Sequence, residues 1–250
     1  MTDQRPPLAR RLLAEAVGTG LLVAVVVGSG IAAQRLSPTD TGLQLLQNSL
    51  ATALALPVII LLVGPVSGGH LNPAVTLVDW LLGRRTGTGL TGGQAWAYVA
   101  AQVAGGVAGA VLANVMFDLA PVTLSDRDRL GAGVLVAEVV ATAGLVALIV
   151  GLARSGRSAL TAAAVGAYIG AAYWFTSSTS FANPAVTVGR TVSDTFAGIA
   201  PGAAVAFVAV QIVGALVGLV LARALYPDAA RAAGRAVVPS ESTLDPQESR

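Results

Sequence analysis

The sequence predicts an all-α membrane protein: six transmembrane helices plus two re-entrant half-helices, arranged as an inverted-topology repeat. Three observations predict it. Only 11% of the 250 residues are charged while 54% are hydrophobic, and the mean hydropathy is +0.73. A soluble domain carries about 25% charged residues, so this chain must face something other than water. Six long apolar stretches follow one another, and the pentapeptide Asn-Pro-Ala-Val-Thr occurs twice, at 72–76 and 183–187. The 29 glycines against 5% aromatics suit small-residue helix packing in lipid. The same composition excludes disordered and fibrous chains. With no cysteine there is no disulfide or thiolate metal site, and one histidine leaves little for His-based metal or proton chemistry. The net charge of +2 does not signal nucleic acid, because the basic residues form no cluster on a soluble domain.

The first span covers residues 12–33. It is too long for the apolar core of a secretion signal and five more spans follow, so it reads as retained. The others cover 43–64, 93–117, 131–152, 159–177 and 201–226, each near the ~20 apolar residues that a bilayer core requires. Two segments, 72–82 and 183–194, are helix-like but too short to cross. One is entered through Ser67-Gly68-Gly69-His70, the other through Ser177-Ser178-Thr179-Ser180. Short interrupted segments at matching places in two halves point to a binding or conduction site.

The expected organisation is a cytoplasmic N-terminal segment (1–11), a first repeat (12–117), an extracellular connecting loop (118–130), a second repeat (131–226) and a disordered cytoplasmic tail (227–250). Arginine placement sets the orientation. With the N-terminus inside, Arg5, Arg10, Arg11, Arg84, Arg85, Arg154, Arg157, Arg223, Arg231, Arg235 and Arg250 fall inside. Arg35, Arg127, Arg129 and Arg190 fall outside, eleven against four. Both termini of this multi-pass chain are therefore expected on the cytoplasmic side of the cell's inner (plasma) membrane.

The halves match at three places in the same order. Besides the boxes, Glu15-x-x-Gly18-Thr19 in the first span reappears as Glu138-x-x-x-Thr142 in the fourth. Gln102-x-x-Gly105-x-x-x-Gly109 in the third span reappears as Gln211-x-x-Gly214-x-x-x-Gly218 in the sixth. Three spans per half is an odd number, so the second half enters from the opposite face.

Asn is a strong N-cap and Pro suits the first helical position, so Asn72-Pro73-Ala74 and Asn183-Pro184-Ala185 each read as a helix start. Two ordinary loop-to-helix junctions would look the same singly. Their duplication between spans of opposite direction favours two half-helices meeting N-terminus to N-terminus near the midplane. Each end carries roughly half a positive charge, and Asn72 and Asn183 then point amide donors at one spot. A water or hydroxyl oxygen accepts both bonds; a cation or proton meets a barrier. Non-helical backbone at membrane depth survives only when buried or lining a wet path. The carbonyls of Gly69, His70, Leu71, Phe181 and Ala182 thus form a ladder of acceptors along a narrow path for small neutral molecules.

On the run Ser67-Gly68-Gly69-His70-Leu71-Asn72-Pro73-Ala74-Val75-Thr76, the second box and all six spans, the chain resembles the major intrinsic protein family, the aquaporins and aquaglyceroporins. The resemblance covers about residues 8–226. It implies a right-handed six-helix bundle, a homotetramer with one pore per subunit, and passive conduction of water and small neutral solutes such as glycerol. It implies no catalytic residues, no metal and no cofactor. Most members carry an arginine directly after the second box; Val186 stands there in this chain. A gap-free alignment places the other constriction residues at Thr52, Ala171 and Ser180, with Gly170 or Ala172 as alternatives to Ala171. That set implies a wide, uncharged constriction. The arginine–aspartate pair of glycerol facilitators is also missing. The chain is similar to a bacterial branch associated with arsenic resistance in replacing the arginine and in Tyr173-Trp174-Phe175…Phe181-Ala182-Asn183. This implies admission of uncharged metalloid hydroxides, arsenite-type species.

Several residues carry alternatives. Asp79 lies seven residues after Asn72 and Arg190 seven after Asn183. Arg190 either places a positive charge in the outer mouth or pairs locally with Asp194, four residues on. Glu15 and Glu138 either anchor the re-entrant loops or form a proton relay; Glu15 has Arg11 four residues before it. His70 either spaces its loop or gates with pH. Trp80, Trp96 and Trp174 read as interfacial anchors. The competing class to a channel is a proton-coupled secondary transporter using Glu15 and Glu138. An intramembrane enzyme lacks any serine–base arrangement recognisable in the sequence.

Overall fold

The computed structural model describes residues 6–84 and 87–227. All regular structure among them is helical. Six helices are long and apolar enough to cross a membrane: α1 (Leu8–Leu36), α2 (Thr41–Ser67), α4 (Gly92–Met116), α5 (Ala132–Arg154), α6 (Thr161–Phe175, extended backwards by a 3₁₀ turn, Ser158–Leu160) and α8 (Pro201–Leu225). Two short helices complete the order, α3 (Pro73–Gly83) and α7 (Pro184–Gly189). Arg5, Arg85, Arg231, Arg235 and Arg250 of the orientation argument, and the expected tail from residue 228 onwards, lie outside the described residues.

Local chemistry starts the helices. The Asp40 carboxylate caps α2 by accepting from Leu43 N at 2.9 Å. Thr91 and Gln94 form a reciprocal capping box on α4. Lipid is as apolar as leucine, so burial from water does not drive the helices together; close packing must. Glycines supply it. A methyl group on Gly105 would stand 2.1 Å from the Ala16 carbonyl oxygen, and one on Gly109 the same distance from that of Gly20, so α4 lies backbone to backbone on α1. Gly214 and Gly218 do the same for α8 on α5, at 2.7 Å from Val139 O and 2.5 Å from Ala143 O. The two halves thus repeat one packing solution, α1 with α4 and α5 with α8. Each half-helix also packs on the last helix of the other half, α3 on α8 and α7 on α4.

The second half-helix is shorter than 183–194. After Gly189 the chain makes one 3₁₀ turn, Arg190–Val192, and leaves the helix. The connecting loop takes over the carbonyls that a longer helix would have used. Thr123 N and Ser125 N donate to Val192 O and Thr191 O at 3.1 and 2.9 Å, and Asn114 Nδ2 reaches Val192 O at 3.1 Å.

Gly109→Val forces α4 away from α1. Overpacking costs about 1–3 kcal/mol, so the thermal midpoint in detergent should fall, whereas Gly93→Val, where a methyl group meets nothing within 4 Å, should leave it unchanged. Equal midpoints for the two variants would contradict the backbone contact.

Candidate functional site

Two buried carboxylates hold the re-entrant loops. Glu15, wholly buried in α1, accepts from Ser67 Oγ (2.6 Å) and His70 N (3.0 Å) on Oε1, and from Leu71 N (2.7 Å) and Gln102 Nε2 (2.7 Å) on Oε2. Glu138, wholly buried in α5, accepts from Phe181 N (2.8 Å) on Oε1, and from Ala182 N (2.9 Å) and Gln211 Nε2 (2.7 Å) on Oε2. Each glutamine amide also bonds the box threonine of its half, Gln102 to Thr76 and Gln211 to Thr187, both at 2.9 Å. The two loop N–H groups, the glutamine amide and the box threonine therefore recur in both halves; among the described residues the Ser67 hydroxyl on Glu15 has no counterpart at Glu138. Arg11 does not turn to Glu15 for a hydrogen bond; its Nε donates to Tyr98 Oη at 2.8 Å, and that hydroxyl donates to Ser67 O at 2.9 Å.

The carboxylates hold unusual backbone. Leu71 (φ 51°), Ser180 (φ 51°) and Ala182 (φ 47°) occupy the left-handed region, a cost of about 1–3 kcal/mol each that the surroundings must offset. In that conformation the loops turn N–H groups to Glu15 and Glu138 and leave carbonyls for the other side. Gly69, His70, Leu71, Phe181 and Ala182 all line one central cavity.

At the centre of this cavity the boxes meet. Asn72 Oδ1 caps α3 by accepting from Ala74 N at 2.8 Å; Asn183 Oδ1 caps α7 by accepting from Ala185 N and Val186 N at 3.0 and 3.2 Å. Their amide nitrogens cross over. Asn72 Nδ2 donates to Ala182 O and Asn183 Nδ2 to Leu71 O, each at 2.8 Å. The sequence alone predicts both amides pointed at one passing oxygen. One N–H of each is instead spent tying the two halves together, and the second has no protein acceptor among the described residues. Both asparagines line the cavity, and the prolines and alanines behind them, Pro73, Ala74, Pro184 and Ala185, are buried.

The cavity measures about 50 Å³, room for roughly three or four waters. Thr52, Ser180 and Val186 line it, but Ala171 does not: it is exposed on the outer side of α6. Val165, Ile169 and Tyr173, spaced by four, form the inward stripe of that helix, and Ala171 lies half a turn away. Gly170 and Ala172 do not line the cavity either. The helical face, and not the alignment register, marks Tyr173, whose hydroxyl lies 3.2 Å from Thr52 Oγ1. The cavity lining also includes a charged residue. Arg190, 2% exposed, lines the cavity with its guanidinium 3.4 Å above the Phe181 ring, and its Nε donates to Ala197 O. No Arg190–Asp194 pair forms among the described residues, because the helix ends between them. Asp194 accepts from Ser125 Oγ at 3.2 Å. A second cation, Arg129 of the connecting loop, stands 5.3 Å from the same ring and donates to Gly198 O and Phe196 O at 2.7 and 2.9 Å. Burial first, and Arg127 next, push its pKa down to about 10, which leaves it charged at neutral pH.

The remaining residues fall into place around this core. His70 Nδ1 lies 3.1 Å from Thr76 Oγ1 and its ring packs on Tyr98, so it braces its loop while one edge faces the cavity. On the side of α3 a second, apolar recess shares Val75 and Ile149 with the central cavity and contains Asp79. Of the charges seven residues after the boxes, Asp79 thus lines the recess beside α3 and Arg190 the central cavity. Trp96 and Trp174 are exposed, 76% and 52%.

Residues 3–180 match the Major intrinsic protein family. The chain is 50% identical over 222 residues to Aquaglyceroporin AqpS of Rhizobium meliloti (strain 1021), covering 89% of this chain and 92% of that one. It is 36% identical over 126 residues to human Aquaporin-5, covering 50% of this chain and 42% of the relative. The aquaglyceroporin of Plasmodium falciparum has a similar fold, with a TM-score of 0.60 over 88% of this chain and 96% of that one at 18% identity.

Glu138→Ala leaves Phe181 N, Ala182 N and Gln211 Nε2 without their acceptor. At about 1–3 kcal/mol per unsatisfied buried donor, the variant should unfold well below the wild type in detergent. An unchanged thermal midpoint would mean that the loop holds its own shape.

Proposed function

The chain belongs to the major intrinsic protein family, and on that premise we propose that it is a passive transmembrane channel for water and small uncharged hydroxylated solutes, glycerol among them. The observation that carries this reading is the pair of asparagine amides. Each has one N–H committed across the junction and one free, between two opposed helix N-termini. A water or hydroxyl oxygen accepts there, and its own hydrogens go to the carbonyl ladder on either side. A cation approaching the same point meets two partial positive charges, and the loop carboxylates Glu15 and Glu138 have their oxygens taken up by N–H and O–H donors.

In this proposal Thr52, Tyr173, Ser180, Val186 and Arg190 set which solutes pass. Arg190 takes part of the role of the arginine that Val186 replaces, from a position one turn further along. Its free guanidinium N–H groups, with the Tyr173 and Thr52 hydroxyls, suit solutes with several hydroxyls, which extends the proposal to metalloid hydroxides such as arsenous acid. Glu15 and Glu138 act as loop anchors: with four and three donors respectively, neither oxygen pair is free to relay a proton. The arginine distribution supports an inner-membrane protein with both termini cytoplasmic and residues 118–130 outside. Family membership supports a homotetramer with a pore in each subunit, operating without cofactor, metal or chemistry.

Stopped-flow flux through proteoliposomes tests this. Water, glycerol and arsenous acid should pass without saturation and without response to a pH gradient; saturable, pH-driven flux would replace the channel by a carrier. Arg190→Ala should keep water flux and raise proton leak by at least about tenfold, equivalent to roughly 1.4 kcal/mol of lost repulsion. Unchanged leak and unchanged solute range would remove Arg190 from the constriction.

A further inference from the structure

On the outer surface, away from the central path, two recesses lie in line, the deeper bounded by α3, α4, α7 and α8 and the second by α3 and α8. The deeper, of about 420 Å³, begins at the box prolines Pro73 and Pro184 and is walled by Leu77, Trp80, Trp96 and Ile212. The second, of about 500 Å³, is walled by Leu81, Leu216, Leu219 and Val220 and carries Arg84 and Arg223. Leu77, Leu81 and Arg84 follow one another along one face of α3, and Ile212, Leu216, Val220 and Arg223 along one face of α8. The two recesses are therefore successive parts of one groove.

Three features identify the occupant. The first is length. From Pro73 to Arg84 helix α3 rises ~16 Å, and half of the hydrocarbon core is ~15 Å; the groove spans one leaflet, from midplane to headgroup level. The second is polarity. The walls are apolar apart from Thr76, and groove residues such as Trp96, Leu216 and Val220 are 76%, 43% and 66% exposed. The third is charge. Both arginines stand at the headgroup end, no residue lining that recess is acidic, and the Arg84 guanidinium lies 5.3 Å from the centre of the Trp80 ring, which itself walls the deeper recess. An apolar slot one leaflet deep, closed by two cations, matches one acyl chain joined to an anionic head.

We propose that this groove is a binding site for an anionic phospholipid, with its phosphate between Arg84 and Arg223 and an acyl chain laid along α3 and α8 as far as the box prolines. Two cations at one headgroup favour net-negative lipid over zwitterionic lipid, whose ammonium group offsets its own phosphate.

Native mass spectrometry of the full chain in detergent, with phosphatidylglycerol or phosphatidylcholine added, tests the site. Phosphatidylglycerol should be retained preferentially and lost as salt rises. Arg84→Gln/Arg223→Gln should weaken its retention by about thirtyfold, the effect of two basic side chains near one headgroup. Arg157→Gln, an exposed arginine outside the groove, should leave retention intact. Equal retention of the two lipids by the wild type overturns the proposal without any variant. So does an equal loss in Arg157→Gln, or a changed oligomeric state of the double variant with lipid retention intact, which would assign the groove to a second copy of the chain.

Discussion

Two amide side chains lock the molecule at its centre. Each asparagine caps its own half-helix through its oxygen and, through its nitrogen, bonds a carbonyl of the opposite loop. Neither loop is regular, so neither has a ladder of its own to satisfy its backbone. The glutamates take the N–H groups on one side, the asparagines take two carbonyls, and the loop residues line the cavity. In lipid an unsatisfied backbone group costs several kcal/mol, so this division of donors and acceptors dictates where irregular chain is tolerated. The half-helices, their opposed dipoles and the polar path all follow from it.

The spanning helices serve that junction. Backbone contact at Gly105 and Gly109, and at Gly214 and Gly218, draws α1 to α4 and α5 to α8 closely enough for Gln102 and Gln211 to reach the glutamates. A larger residue at any of the four would push the anchor away from its loop. The small-residue composition is thus a requirement of the proposed path and not a general preference for tight packing.

Much of this was legible in the sequence, because duplication separates signal from coincidence. The caps, the six spans and the glutamate–glutamine–glycine pattern are local or periodic, and each appears twice. What escaped was long-range or one-sided. Ala171 was placed by register alone, although the four-residue spacing of Val165, Ile169 and Tyr173 marks the inward face of α6. The early end of α7 depends on a loop some seventy residues earlier in the chain that claims the carbonyls of Thr191 and Val192. Arg190 found its partner in the Ala197 carbonyl and the Phe181 ring, contacts for which a sequence carries no spacing rule. The proposed lipid groove needs helices from different halves side by side, which no linear pattern displays.

In the proposed channel the positive potential of the junction excludes cations. Asn183→Asp tests it most directly: aspartate still caps α7 but places a negative charge at the meeting point of the two helix ends. With water flux in the same vesicles as the control for folding, the account predicts that proton or sodium conductance appears in the variant and is absent from the wild type. Retained water flux with no cation leak would contradict it.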